Sequence, residues 1–118
     1  MGFDLVGQAA TKPQGEYFRN NVWWWRPLHA LIYLTASDIL TEEEMDELGY
    51  NDGFAFSPDK AQALAKRLSN VVSDEKFLAE CEKTVMIQLP GYYHGCWSKE
   101  NILEFIEFLE HSGGFTVN

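Results

Sequence analysis

Along this chain the spacing of apolar and polar positions changes several times, and each change marks an element. Phe3, Leu5 and Val6 alternate weakly with Asp4 and are closed by Gly7, the pattern of a short strand. Residues 8–16 are a polar loop containing Pro13 and Gly15. From Leu28 the period lengthens: Leu28, Leu31, Ile32, Thr35 and Ile39 share one helical face, which predicts a helix over about residues 27–40. Pro27 sits comfortably only in a helix's first turn and pushes Arg26 toward extended geometry. Residues 17–26 therefore read as an extended or irregular lead-in.

Thr41 and Glu44 form a capping box for a short helix that buries Met45 and Leu48 and stops at Gly49, as a C-cap glycine would. Residues 50–56 are a turn flanked by aromatics, with Asn51, Asp52 and Gly53 at its centre. Ser57 and Pro58 then supply the cap and first residue of a third helix, striped by Ala61, Leu64, Ala65, Leu68 and Val72. Ser73 is expected to cap a fourth, with Phe77, Cys81 and Val85 inward. Residues 86–89 look like a brief strand, and residues 91–97 a second aromatic loop bracketed by glycines. Ser98 caps a last helix along Ile102, Phe105, Ile106 and Leu109, ended by Gly113 and Gly114. Residues 115–117 are β-prone and suited to pair with residues 3–6. No repeat or linker divides the 118 residues. The expectation is one mainly α domain of four to five helices, or an α+β domain if a small sheet joins the termini.

The densest stretch lies inside the lead-in. Tyr17, Phe18, Arg19, Asn20, Asn21, Trp23, Trp24, Trp25, Arg26 and His29 fall within about a dozen positions. Three consecutive indoles cannot all enter one core, whether the backbone is strand or helix. One reading is a packing wedge with guanidiniums stacked on the rings. The other is a recognition surface, because Trp and Arg are enriched at binding hot spots. Either way, at least one tryptophan should sit near the surface beside Arg19, Arg26 or His29.

Charge narrows the classes of partner. The net charge is −9, which disfavours a broad electrostatic grip on nucleic acid or anionic lipid. Contact with nucleic acid is expected only through a nucleic-acid-binding protein. Between Arg26 and Lys60 there is no Lys or Arg, yet Asp38, Glu42, Glu43, Glu44, Asp46, Glu47 and Asp52 all fall there. Such acids serve as solvated helix faces or as a surface for a basic partner. No apolar run reaches about 18 residues, so no membrane span is expected. The N-terminal residues lack a signal-peptide pattern, and Cys81 and Cys96 suit free thiols, which together point to the cytoplasm.

Candidate chemistry is thin. No phosphate loop, dinucleotide fingerprint or nucleophile elbow is present. His94 and Cys96, with Cys81 or His111, are soft ligands, but their spacing matches no zinc ribbon or finger, and no metal or cofactor is expected. Cys96 as nucleophile would draw its base from His94, His29 or His111. Arg19, Asn20, Asn21, Arg26 and His29 over a tryptophan floor could instead form a pocket for an anionic or planar ligand, so the alternative is a small-ligand site or small hydrolase around Arg19, Asn20, Arg26, His29, Asp52 and His94.

Several of these residues resemble a known group. They are Met1-Gly2-Phe3-Asp4 with Gly7, the block from Tyr17 through Asn21 to Trp25-Arg26-Pro27-Leu28, Asn51-Asp52-Gly53, and Phe105 to Phe115 with Ser112-Gly113-Gly114. Together they are similar to a family of small proteins of bacteria and their phages that has no established activity. The likeness leaves residues 69–89 unmatched and supplies no catalytic residue. It implies a phage or mobile-element setting, in which small acidic proteins act as binders or inhibitors. The leading expectation is thus an acidic, non-enzymatic module that binds a protein partner, with Arg19, Asn20, Trp23, Trp24, Arg26, His29, Asp52, His94 and Trp97 as candidate contacts.

Overall fold

The computed structural model describes residues 2–118. Its described elements are, in order, β1 (Gly2–Gly7), β2 (Tyr17–Asn21), α1 (Val22–Thr35), α2 (Glu42–Glu47), β3 (Phe54–Phe56), α3 (Pro58–Ser73), α4 (Glu75–Gln88), α5 (Lys99–His111) and β4 (Phe115–Val117). Short 3-10 turns lie at Pro13–Gly15 and Gly91–Tyr93. The class is therefore α+β: five helices and one antiparallel sheet ordered β2-β1-β4-β3. The sheet is larger than the terminal pairing alone. β1 pairs with β4 through Leu5↔Val117 and Val6↔Thr116, as the sequence suggested, but also with β2 through Phe3↔Asn20 and Leu5↔Phe18.

Three caps sit where local sequence puts them. Thr41 and Glu44 make the reciprocal capping box of α2, Ser57 accepts from the Lys60 N–H at 3.2 Å, and Ser98 accepts from the Asn101 N–H at 3.0 Å. Each satisfies an otherwise orphaned helix N–H.

Six local expectations need correction. The first long helix starts at Val22, not Pro27, because the Asn21 side chain caps it by accepting from the Trp24 N–H at 3.2 Å. Pro27 thus lies inside α1, where its ring removes one ladder bond. Burial of Trp25, Pro27 and Leu28 in the core offsets that loss. The helix also ends earlier, at Thr35, whose carbonyl accepts from Arg67 at 2.6 Å while Arg67 forks onto Asp38. A cation from α3 so sits at the negative end of α1.

Gly49 is not a left-handed C-cap. It is small because a Cβ there would stand 3.2 Å from the His29 ring and 3.4 Å from the Arg26 guanidinium. For α4 the cap is Asp74, accepting from the Phe77 N–H at 3.1 Å, while Ser73 bonds back to the Asn70 carbonyl. Leu78, Cys81 and Val85 face inward and Phe77 faces solvent. Residues 86–88 extend α4 rather than forming a strand, since adding a turn to a formed helix needs no new nucleus. The left-handed conformation does occur at Gly113 (φ +67°) and Gly114 (φ +92°), turning the chain from α5 into β4.

Trp25 is the largest fully buried side chain. It stacks on Phe3 of β1 with centroids 5.5 Å apart and meets Phe105 of α5 edge-on at 5.7 Å. Its Nε1–H donates to the Leu48 carbonyl, just past α2, at 2.7 Å. One indole thereby joins sheet, α1, α2 and α5. Trp25→Phe would keep an aromatic in place but strand that carbonyl, so unfolding free energy should fall by about 2 kcal/mol or more. Urea denaturation checks this: the midpoint drops with an unchanged slope, whereas Trp23→Phe shifts stability by less than about 0.5 kcal/mol.

Candidate functional site

Starting α1 at Val22 fixes the directions of the three tryptophans about 100° apart. Trp25 points into the core, Trp24 is half-buried, and Trp23 is 46% exposed. Trp23 begins a second apolar stripe, followed on the same turn spacing by Ala30, Tyr33 and Leu34. Tyr33 and Leu34 are exposed, as is Ile87 on α4, at 79%.

The second aromatic loop joins this stripe. Trp23 meets Tyr92 edge-on at 5.4 Å and Tyr93 at 5.5 Å, so the two aromatic blocks of the sequence form one cluster. Tyr92 stays 65% exposed. The turn is held by His94, whose Nε2–H donates to the Met86 carbonyl at 2.8 Å and reaches the Leu89 carbonyl at 3.2 Å. His94 is therefore a staple between α4 and the turn. Trp97 lies with Trp24, Pro27, Leu28 and Cys96 around a recess of only about 10 Å³, a packed joint without space for a ligand.

Between α1 and the end of α4 runs a groove of about 410 Å³, lined by Arg26, His29, Ala30, Tyr33, Leu34, Gln88 and Leu89. His29 donates its Nε2–H to the Met45 carbonyl at 2.7 Å and stacks on Trp25. Burial pushes its pKa below the ordinary value; the Met45 carbonyl and Asp46 oppose the shift and Arg26 adds to it. The ring is neutral at neutral pH, with Nδ1 as its acceptor. Arg26 reaches the Gly49 carbonyl at 3.2 Å and lies 5.2 Å over the Phe3 ring.

Arg19, Asn20 and Trp24 belong to a different groove, of about 500 Å³, with Asn21, Ser98, Glu100, Asn101 and Glu104. There Asn20 and Asn101 exchange two amide bonds of 2.9 Å. Arg19 binds Asp4 at 2.9 and 3.0 Å, and Tyr17 donates to the same carboxylate. Those donors hold Asp4 below the usual carboxylate range, Tyr17 first and Arg19 second. The helix ends facing this groove are already capped by Asn21 and Ser98, and two glutamates line it, so it is unsuited to an anion. Asp52 lies apart from both grooves' lining residues. Glu47, whose Oε2 is shut off without a hydrogen-bond partner, has its pKa raised by burial first and then by Asp52, with Glu43 and Asp46 adding to it.

The candidate contacts thus divide. Trp23, Arg26 and His29 lie along one face of α1 beside the Tyr92 turn; Arg19, Asn20 and Trp24 lie beside α5; Asp52 accompanies α2. The single polar pocket drawn from Arg19, Asn20, Arg26, His29, Asp52 and His94 is not assembled. Among the described residues no group of three or more His, Cys, Asp or Glu is placed to hold a metal ion. Cys81 is buried on α4, with its thiol pushed up by burial and Glu80, and His111 Nδ1 pairs with the Thr11 hydroxyl at 3.0 Å. No helix among the described residues is long and apolar enough to cross a membrane.

Sequence reasoning missed Tyr33 and Leu34. The signal was present: α1 carries apolar residues on two faces, and only the inward stripe was used. No family model, curated protein or solved structure matches the chain.

Two titrations check the electrostatics. The His29 ring followed by NMR should titrate with a midpoint below the ordinary 6.5. An unfolded histidine takes its proton first as pH falls through 6.5, so stability declines from there down to the folded midpoint. Glu47 behaves oppositely. Its folded pKa lies above the ordinary 4.5, so its penalty is absent below that pH and full above the folded value. Glu47→Gln should match the parent protein in urea at pH near 4 and exceed it at neutral pH.

Proposed function

We propose that the protein is a non-enzymatic binding module that holds a protein partner on the outer face of α1. The observation that carries this is the apolar surface formed by Trp23, Tyr33, Leu34 and Tyr92, left exposed although the fold has a filled core. Solvent-facing aromatics of this density mark interaction sites, and Trp and Tyr give rigid contact area at small entropic loss. The groove between α1 and α4 adds a concave seat. From Trp23 to Leu34 the face runs about 16 Å, the length of three helical turns. That matches an amphipathic helix laid into a groove.

Charge selects the partner. Arg26 is the one charged residue lining the groove, and it is engaged by the Gly49 carbonyl and Phe3. Asp46 acts on His29 from α2, next to a run of glutamates, within a chain of net charge −9. An apolar anchor with a basic surround meets both features, and acidic repulsion disfavours other partners. Such a module works by occupying its partner's surface, as a small inhibitor does. A small planar ligand seated on His29 and Arg26 is the second reading, and the groove's neutral imidazole favours it over an anion.

Selection from a random peptide library discriminates the two. Enriched peptides should carry apolar residues at helical spacing flanked by Lys or Arg. Their amide perturbations should fall on residues 23–34 and 88–93. Tyr33→Ser combined with Leu34→Ser should weaken binding by more than about tenfold while leaving stability within about 1 kcal/mol. Binding that survives the double variant, or maps elsewhere, removes this face from the account.

A further inference from the structure

A separate surface is left open at the edge of the sheet. β2 is an edge strand, paired among the described residues only with β1. The direction of its free backbone groups follows from the register. Asp4 exchanges both backbone bonds with Asn118, at 2.8 and 2.7 Å, and the Gly7 N–H goes to Glu16 at 3.0 Å. Even-numbered β1 residues therefore bond toward β4 and odd-numbered ones toward β2. With Phe3↔Asn20 and Leu5↔Phe18, the backbone of Phe18 and Asn20 turns inward to β1. The N–H and C=O of Tyr17 and Arg19 point outward, with the Arg19 carbonyl also accepting from Asn20 Nδ2 at 3.0 Å.

The space beside this edge is walled by α5, which runs antiparallel to β2: Asn101 pairs with Asn20, Phe105 and Phe108 with Phe18. The groove of about 500 Å³ at Arg19 to Asn21 continues into a recess of about 220 Å³ at Gln14, Tyr17 and Phe18, and Glu104 lines both. Glu100, Glu104 and Glu107 form one exposed stripe along that wall. None of the three makes an ion pair among the described residues. An open strand edge alone would take any extended chain. The glutamate stripe selects by charge.

We propose that the β2 edge takes an extended basic segment of a protein as an added strand, with its Lys or Arg side chains on Glu100, Glu104 and Glu107. Backbone bonds to Tyr17 and Arg19 give the pairing, and alternate side chains give the specificity. The spacings agree. Alternate residues of a strand are about 6.8 Å apart, while Glu100 and Glu104 are separated by about 6 Å of helix rise and Glu104 and Glu107 by about 4.5 Å, differences that long Lys or Arg side chains span. This site does not rest on the α1 face and can fail without it.

The probe is a short fluorescein-labelled peptide alternating lysine and valine, followed by anisotropy against the full chain. It should bind, and Glu100→Gln, Glu104→Gln and Glu107→Gln together should weaken it at least about tenfold, the sum of three exposed ion pairs. A peptide of equal charge, N-methylated at alternate residues so that one edge loses its donors, should also bind at least about tenfold more weakly. Hydrogen exchange at the Tyr17 and Arg19 amides should slow when the unmethylated peptide is added. No binding, or equal binding of the methylated peptide, overturns strand addition. Sedimentation of the free protein as a dimer with those amides already protected would place a second copy in the groove and overturn it too.

Discussion

The architecture depends on the hydrogen bond from the Trp25 indole to the Leu48 carbonyl and on the aromatic packing around it. A fully buried indole needs a partner for its N–H. Here the partner is a backbone group on a segment far along the chain. Meeting that need fixes the rotation of α1 about its axis and the approach of α2. The small residue at Gly49 lets His29 and Arg26 pass close beside it. With α1's rotation fixed, Trp23 has no route into the core, and its exposure follows from Trp25's burial.

That geometric coupling explains how the tryptophan block serves both structure and surface. The inward stripe of α1 closes the core against β1 and α5, while the outward stripe joins Tyr92, Tyr93 and the end of α4. His94 supports this surface by tying the turn to the end of α4 through its Nε2–H. His29 is likewise occupied through Nε2 and kept neutral by burial. Both histidines thus join elements: His29 ties α1 to α2, and His94 ties α4 to the turn after it.

Features encoded within a few residues were legible in the sequence. The Thr41, Ser57 and Ser98 caps, the α3 and α5 stripes and the glycine exit from α5 each depend on neighbours along the chain. The failures share a different cause. Pro27 locally prefers a first helical turn, but the burial of Trp25, Pro27 and Leu28 outweighs one missing ladder bond. Ser73 and Asp74 are both competent caps, and only packing of Leu78 and Cys81 chooses between them. Strand order was hidden for the same reason: β1 lies between β2 and β4, whose pairing residues come from opposite ends of the chain. Grouping of the candidate contacts followed from that topology, so the sequence block that looked like one site became two surfaces.

Those two surfaces meet at Asn21. It is the last residue of β2 and, through its side chain, the cap of α1. The groove beside α5 includes Trp24, and the outer face of α1 begins one residue earlier at Trp23. Strand edge and helix face are therefore rigidly related through a single capped junction, with a hydrogen bond rather than a flexible loop between them. One surface offers backbone groups and carboxylates, the other aromatic rings. Their chemistries differ enough that each can be occupied or removed without imitating the other. The α5 glutamates and the aromatic block, far apart along the chain, thus flank one junction.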